Sequence, residues 1–366
     1  MTDRESTDVL VVGAGPVGLT LAYDLARRGI ACRIIDQEAT YHRGSRTRQL
    51  LPPTLEIFRD LGILEDLLTR AEPFLPLRIY DRANRLLRER DLAATSAAQA
   101  TPGAPTSVPI KISQQQTEAV LRTSLASCGV QVELACQLTG FSQNEEGVIA
   151  RIERTGKSEE IQTRYLVGCD GGHSTVRSCA GIAFPGVTGR DAKGFVGNAS
   201  VSGLDPAFSV WTDPARPAGL LLLLDYMARD DAWFFYAIVL PDEYTTFTPT
   251  LETLQRLFDE RVGLPGVRFS RPLWLSTFRP TNLRLVERYR SGRIFLAGDA
   301  AHVGFPHGME IGIQEVCNLG WKLASVLQGS ASDELLETYQ AERLPIAQHE
   351  LAGGGLSGMQ LHMDAS

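Results

Sequence analysis

Apolar positions along the chain change their period in a regular order. Asp8 to Val12 is a short apolar run, and Val17 to Arg28 then carries Leu19, Leu21, Leu25 and Ala26 on related helical faces. Gly29 closes that helix and Ala31 to Ile35 is a second apolar run ending on Asp36, so the opening of the chain predicts one βαβ unit. Pro53 to Leu68 predicts a further helix, with proline near its start and Leu55, Phe58, Leu61 and Leu64 apolar. Ala93 to Pro109 mixes Ala, Thr, Ser and Pro without periodicity and is expected to be a mobile loop. Gln116 to Cys128 predicts an amphipathic helix, Val130 to Leu134 and Gly147 to Arg154 predict strands, and Tyr165 to Cys169 predicts a buried strand ending at Asp170. From about Phe184 to Pro280 strand-like runs, Leu220 to Leu224 and Trp233 to Leu240, are joined by polar turns, with Leu251 to Phe258 a helix candidate. That texture predicts an antiparallel sheet inserted between pieces of an α/β domain. Strand–helix pattern returns from Arg293, and no internal repeat is present.

Composition narrows the function classes. At 366 residues, 43% hydrophobic and 22% charged, the chain can bury a large core as a two-part body or two domains. A net charge of −7 provides no basic surface for nucleic acid or an anionic membrane. The longest apolar stretches are of strand length, too short to span a bilayer. Met1 to Asp8 is polar and acidic, without the apolar core of a signal peptide, so a cytoplasmic location is expected. The six cysteines show neither Cys-x-x-Cys pairing nor zinc spacing, which predicts reduced thiols and no metal; Cys169 and Cys179 read as small core-filling residues rather than a redox pair.

Chemistry concentrates in a few segments. Gly13-Ala-Gly15-Pro16-Val-Gly18 follows a strand and opens a helix. Gly13 permits a tight turn, Gly15 lets the backbone approach a pyrophosphate, and Gly18 allows close helix–sheet packing. Asp36 lies 18 residues beyond Gly18, placed to accept from ribose hydroxyls. The motif alone does not separate NAD from FAD. Gly292-Arg-Ile-Phe-Leu-Ala-Gly298-Asp299-Ala-Ala-His302 predicts a strand that delivers a carboxylate to the start of a helix, where backbone N–H groups hold an anion. Gly168-Cys-Asp170-Gly-Gly-His-Ser174-Thr-Val-Arg177 places a carboxylate after a strand and two glycines in a turn. Arg43-Gly-Ser-Arg46-Thr-Arg48 is read as a phosphate-facing cluster or, more simply, as solvated arginines. Ile112-Ser113-Gln114-Gln-Gln-Thr-Glu118 opens a helix after an extended segment and admits two compatible readings, a Ser113 cap and a Gln114 amide that reaches a ligand. His302 reads as a structural or cofactor-flanking histidine, and His307 has no metal-ligand spacing. No nucleophile elbow, catalytic dyad or catalytic residue emerges.

In order, these segments resemble the FAD-dependent aromatic hydroxylases, the class A flavoprotein monooxygenases of the p-hydroxybenzoate and phenol hydroxylase type. Asn318-Leu-Gly-Trp-Lys-Leu-Ala324 and Tyr339-Gln-Ala-Glu-Arg-Leu-Pro345 carry the resemblance towards the end of the chain. It implies an α/β fold: a Rossmann-like FAD-binding domain with an inserted antiparallel-sheet substrate domain. Residues 1–75, 107–183 and 285–350 would form the cofactor domain, 76–106 and 184–284 the substrate domain, and 351–366 a flexible tail. Gly13, Gly15, Pro16 and Gly18 would hold the pyrophosphate and Asp36 the adenosine ribose. Arg46 and Gln114 would lie along the cofactor. Asp170 and Arg177 match a motif linked to both FAD and the nicotinamide donor, and Gly298, Asp299 and Gly312 would bind the ribityl or pyrophosphate side.

The reaction implied is hydroxylation of a phenolic or polyketide-like aromatic through a flavin hydroperoxide, with FAD bound, NAD(P)H a transient donor, O2 a co-substrate, and the protein a monomer or homodimer. Phe195, Leu222, Phe234 and Tyr236 are candidates to line the substrate pocket, but alternate positions on these strands must face core, so they are not assigned to the site. Two departures from the family stand out. Pro306 to Glu315 is shorter than the usual ring-cradling loop, lacks its double glycine and Asn, and has Glu315 for the usual Asp. The thioredoxin-like extension of many relatives is expected to be missing, as in the small p-hydroxybenzoate type. An oxidase or epoxidase of the same family, or a catalytically impaired flavin-binding protein, is the alternative. The missing Trp-x-Trp-x-Ile-Pro lowers a halogenase, and Asp170 and Asp299 lower a plain NAD dehydrogenase.

Overall fold

The run from Val9 to Val12 is buried on both faces, and in the computed structural model it lies in the middle of a largely parallel sheet. Residues 5–99, 106–189, 192–213, 215, 220–240, 247–279, 282–304 and 308–353 are described. They fall into two compact units, Met1–His42 with Glu118–Val187 and Asn282–Ser366, and Arg43–Thr117 with Thr188–Thr281.

The first unit is built on the strand order Arg290–Ser291, Ile294–Leu296, Lys157–Gly168, Glu5–Val12, Cys32–Ile35, Val132–Glu133. The last five run parallel to one another. Parallel neighbours need crossovers, and the helix Pro16–Arg27 supplies the first, as the helical spacing after Gly15 predicts. Cys136–Gln143 and Val148–Arg154 add an antiparallel hairpin onto the long strand Lys157–Gly168. No helix among the described residues is long and apolar enough to cross a membrane.

The second unit is a seven-stranded sheet ordered Arg268–Phe278, Lys193–Ser202, Ala232–Val239, Leu220–Met227, Phe208–Thr212, Leu77–Tyr80, Leu86–Arg90. It is antiparallel except for the parallel pairing of Phe208–Thr212 with Leu77–Tyr80. One face packs Phe195, Trp211, Leu222, Leu224, Trp233 and Phe235 against Leu254, Leu257 and Phe258 of the helix Leu251–Arg261. Phe195 and Leu222 therefore belong to this core, the place that strand alternation reserves for part of the four pocket candidates. Phe234 and Tyr236 sit on the opposite face, where the register aligns Phe234 with Asp225 and Asn198, and Tyr236 with Leu223 and Val196.

Other expectations change in detail. Pro53 to Leu68 is two helices, Pro52–Asp60 and Leu64–Arg70, because Gly62 adopts φ +78° between them. Ala93 to Pro109 is not wholly a loop: Leu92–Gln99 is helical, started by Asp91, whose Oδ1 accepts from Ala94 N at 2.9 Å. Its alanines favour that state, and residues 100–105 lie outside the described set. Residues 43–75 and 107–117 group with the second unit rather than the first. Gln49–Leu50 pairs there with Ile110–Lys111, and Ser45 N donates to Asn198 Oδ1 at 2.7 Å. The last helix, Glu337–Gly353, runs into the expected tail, whose remainder from 354 lies outside the described residues. Cys179 is exposed rather than core-filling.

The polar face of the second sheet holds a buried charge cluster. Asp225 accepts from Arg48 Nη1 and Lys111 Nζ, each at 2.8 Å, and Lys111 also donates to the Tyr226 carbonyl at 2.8 Å. The Lys111 and Asp225 side chains are both about 1% exposed. Removing one partner strands a buried charge, so Asp225→Ala should cost roughly 3–5 kcal/mol in urea unfolding. A loss under about 1 kcal/mol would show that Lys111 reaches water once released.

Candidate functional site

Four adjacent parallel strands end level with one another. Val12 lies opposite both Ile35 and Gly168, and Gly168 lies opposite Leu296. The ladder continues one residue past each end, with Gly13 N donating to Ile35 O at 2.8 Å, Cys169 N to Val12 O at 2.7 Å and Ala297 N to Gly168 O at 3.0 Å. Asp36, the Gly13 turn, Asp170 and the Gly298–Asp299 turn therefore leave the sheet side by side, along the edge where open α/β sheets bind ligands.

The three glycines of the first turn differ in their surroundings. Gly13 has φ +101°, and a Cβ there would lie 2.4 Å from the Cys169 carbonyl oxygen. A Cβ at Gly18 would lie 1.9 Å from the Gly13 oxygen. At Gly15 a Cβ would meet nothing within 4 Å. Pro16 is the buried first residue of the helix, and no side chain caps its start. The first and third glycines thus serve packing, while the second leaves bare backbone facing open space at an uncapped helix N-terminus.

Two of the three carboxylates, Asp36 and Asp170, are held by backbone donors. Asp36 Oδ2 accepts from Ala14 N at 2.7 Å and its Oδ1 from Glu38 N at 2.9 Å. Asp170 Oδ2 accepts from Thr175 N at 2.7 Å and Val176 N at 3.1 Å, while its Oδ1 is buried without a hydrogen-bond partner. Burial pushes the Asp170 carboxyl above its ordinary pKa, against the hydrogen bonds from Ser174 and the backbone. Arg177 spends Nη1 on Ala300 O at 2.9 Å and Nη2 on Gly172 O at 2.8 Å, with its guanidinium 3.9 Å from the Phe184 ring centre. It braces the Gly171–Gly172 turn against the Asp299 loop.

Asp299 does not lead straight into a helix as its pattern predicts. A 3-10 turn, Gly298–Ala300, and the short strand His302–Val303 intervene before the helix Gly308–Leu327. The carboxylate still reaches that helix, because a Cβ at Gly308 would lie 3.5 Å from Asp299 Oδ1. Gly312 contributes by packing: a Cβ there would lie 2.7 Å from Val17 Cγ2 and 2.9 Å from the Gly298 Cα. Pro306 and His307 lie outside the described residues. Arg46 and Gln114 meet in the second unit. Arg46 N is 3.4 Å from Gln114 Oε1, Gln114 N donates to Ser45 Oγ at 2.7 Å, and the Arg46 guanidinium lies 5.4 Å from the Trp274 ring centre.

Sequence reasoning missed Glu315 as a contributor to this site. Its fully buried carboxylate accepts from Gly298 N at 2.8 Å through Oε2, and from Tyr289 Oη at 2.9 Å through Oε1; His302 Nε2 is also 2.9 Å from Oε1. The available signal was an acid between Ile311 and Leu319 on an apolar helical face. Among the described residues no cluster of His, Cys, Asp and Glu is arranged to hold a metal ion.

A family model described as the FAD binding domain matches residues 6–352. The chain belongs to this family. FAD is its cofactor. The chain is 36% identical over 345 residues to a flavin-dependent monooxygenase of Mycobacteroides abscessus, covering 93% of this chain and 71% of that protein. It is 33% identical over 360 residues to the 6-methylpretetramide 4-monooxygenase of Streptomyces rimosus, covering 94% and 60%. The ternary complex of aklavinone-11 hydroxylase with FAD and aklavinone superposes with a TM-score of 0.80 at 27% identity, covering 95% of this chain and 67% of that one. The chain thus spans 60% to 71% of the lengths of these relatives.

The residues present fit FAD. The open space at Gly15 suits a phosphate group, and the unpartnered Asp170 Oδ1 calls for a donor of the kind a sugar or ribityl hydroxyl offers. The different surroundings of the glycines are testable without the cofactor. Gly15→Ala should leave apoprotein stability within about 1 kcal/mol, whereas Gly18→Ala, forced into backbone, should cost roughly 3 kcal/mol or more in urea unfolding. Equal losses at the two positions would remove the distinction.

Proposed function

We propose that this chain is an FAD-dependent, NAD(P)H-driven monooxygenase that hydroxylates a phenolic or polyketide-like aromatic, using O2. The observation that carries this reading is the convergence of the Gly13 turn, Asp36, Asp170 and Asp299 at the ends of four adjacent strands in a chain of the FAD-binding family. Two relatives, a 6-methylpretetramide 4-monooxygenase and an aklavinone hydroxylase, support the substrate class.

In this reading the bare backbone at Gly15 and the uncapped helix start hold the pyrophosphate, and Asp36 accepts from the adenosine ribose. Asp170 and Asp299 take the ribityl hydroxyls, beside the start of the Gly308–Leu327 helix. Arg177 acts through the two turns it joins. Bound FAD would supply the redox chemistry: it would take hydride from NAD(P)H and activate O2, so that one oxygen atom goes to the ring and the other leaves as water. The protein's share is to orient the aromatic and exclude water. Phe234 and Tyr236 offer an aromatic face, and burial raises the Tyr236 phenol above its ordinary value.

Holoprotein mixed with NADH or NADPH and a panel of phenols should show substrate-stimulated NAD(P)H oxidation, with 18O from O2 in the product. Normal flavin spectra with no reduction by either donor across the panel would sink the monooxygenase reading. Two variants test the cofactor site separately. Asp299→Ala removes a charged acceptor and should raise the FAD dissociation constant by about 10- to 100-fold. Gly15→Val fills the phosphate approach and should abolish FAD retention while the apoprotein stays folded; full FAD occupancy would reject that placement.

A further inference from the structure

Glu315 is fully buried and ties the helix Gly308–Leu327 to three points of the segment before it: Tyr289, the Gly298 turn and His302. Its Oε2 takes the N–H of Gly298 at 2.8 Å. Gly298 itself sits at φ +61°, a backbone state that L side chains seldom adopt, and a Cβ there would press on Val17 Cγ2 at 3.1 Å. The turn is therefore gripped from two sides. Val17, in the first turn of the helix opened by Gly15, abuts one side, and the Glu315 carboxylate holds the other. The next residue is Asp299, whose Oδ1 lies at the start of the Gly308–Leu327 helix.

We infer that Glu315 is a positioning residue for FAD: by holding the Gly298 N–H it sets the turn that aims Asp299 at the cofactor. This rests on the assignment of Asp299 to the FAD site. Without the carboxylate, a buried N–H loses its acceptor, and the turn gains freedom to rotate the following peptide away. An amide at this position retains one acceptor oxygen for Gly298, and its NH2 can face Tyr289 Oη, which reverses to accept. Geometry rather than charge is what the turn needs.

The test uses apoprotein titrated with FAD, followed by flavin fluorescence, alongside the thermal midpoint of the apoprotein. Glu315→Leu should raise the FAD dissociation constant by about 10-fold or more, from the loss of the acceptor that holds the Gly298 N–H. Glu315→Gln should rescue it to within about 3-fold of the unmodified chain. Tyr289→Phe removes a different partner of the same carboxylate, so it should lower the thermal midpoint and leave FAD affinity within about 2-fold. A folded Glu315→Leu apoprotein that binds FAD within about 2-fold of the unmodified chain overturns the inference, because stability alone would then be its role. If Glu315→Leu does not fold, Glu315→Asp decides: it keeps the charge but withdraws it from Gly298, and unchanged FAD affinity overturns the inference. Normal affinity in Asp299→Ala would instead bring down the site assignment itself. Weak binding in Asp299→Ala beside normal binding in Glu315→Leu would bring down only the role given to Glu315.

Discussion

The close passage of the Gly13 turn over the end of its neighbouring strand is the constraint on which the first unit depends. A side chain at Gly13 would enter the Cys169 carbonyl, and one at Gly18 would enter Gly13 itself. Two main chains and a helix start are in mutual contact there, with no room for side chains between them. That contact brings the open Gly15 backbone level with Asp170 from the next strand, and the aligned register brings Asp36 and Asp299 to the same edge. Backbone packing, more than any single polar interaction, assembles the site.

The parts of this arrangement that were legible in the sequence are those imposed by the backbone. Glycines in a strand–turn–helix context, and acids directly after apolar strands, can be read locally because strand, turn and helix each have their own period. Boundaries were less legible where a single residue decides them, as Gly62 does in splitting one expected helix and Asp91 does in starting an unexpected one. Least legible were pairings across long stretches of chain. Lys111 and Asp225 are 114 residues apart, and nothing near either announces the other. Arg48 read as a solvated arginine because its partner, Asp225, lies 177 residues away.

Glu315 was misread for a related reason. As a departure from the family's usual Asp it drew attention to the cofactor ring, yet the structure points its carboxylate at the back of the Gly298 turn and at Tyr289 and His302. An acid on an apolar helical face signals a buried partner, but the sequence does not say which of the distant donors it is. The second sheet carries the same lesson in reverse. Phe195, Leu222, Phe234 and Tyr236 look alike in composition, and only cross-strand register separates a core face from one shared with Asp225 and Asn198.

In the proposed site three carboxylates would share a dinucleotide that carries two phosphates, an electrostatic problem that the backbone eases at two of them. Asp36 and Asp170 each accept two main-chain N–H groups, so part of their charge is already met by local dipoles. Their remaining acceptor capacity, plainest in the unpartnered Asp170 Oδ1, suits hydroxyl donors and not anions. The phosphates would be left to the uncapped N-terminus at Gly15, where the helix dipole favours negative charge and no carboxylate crowds the open face. Under the proposed placement, the strand order would set the Asp299 and Asp170 acceptors first, the open Gly15 backbone next and Asp36 last, an order that matches ribityl hydroxyl, phosphate and ribose hydroxyl along FAD.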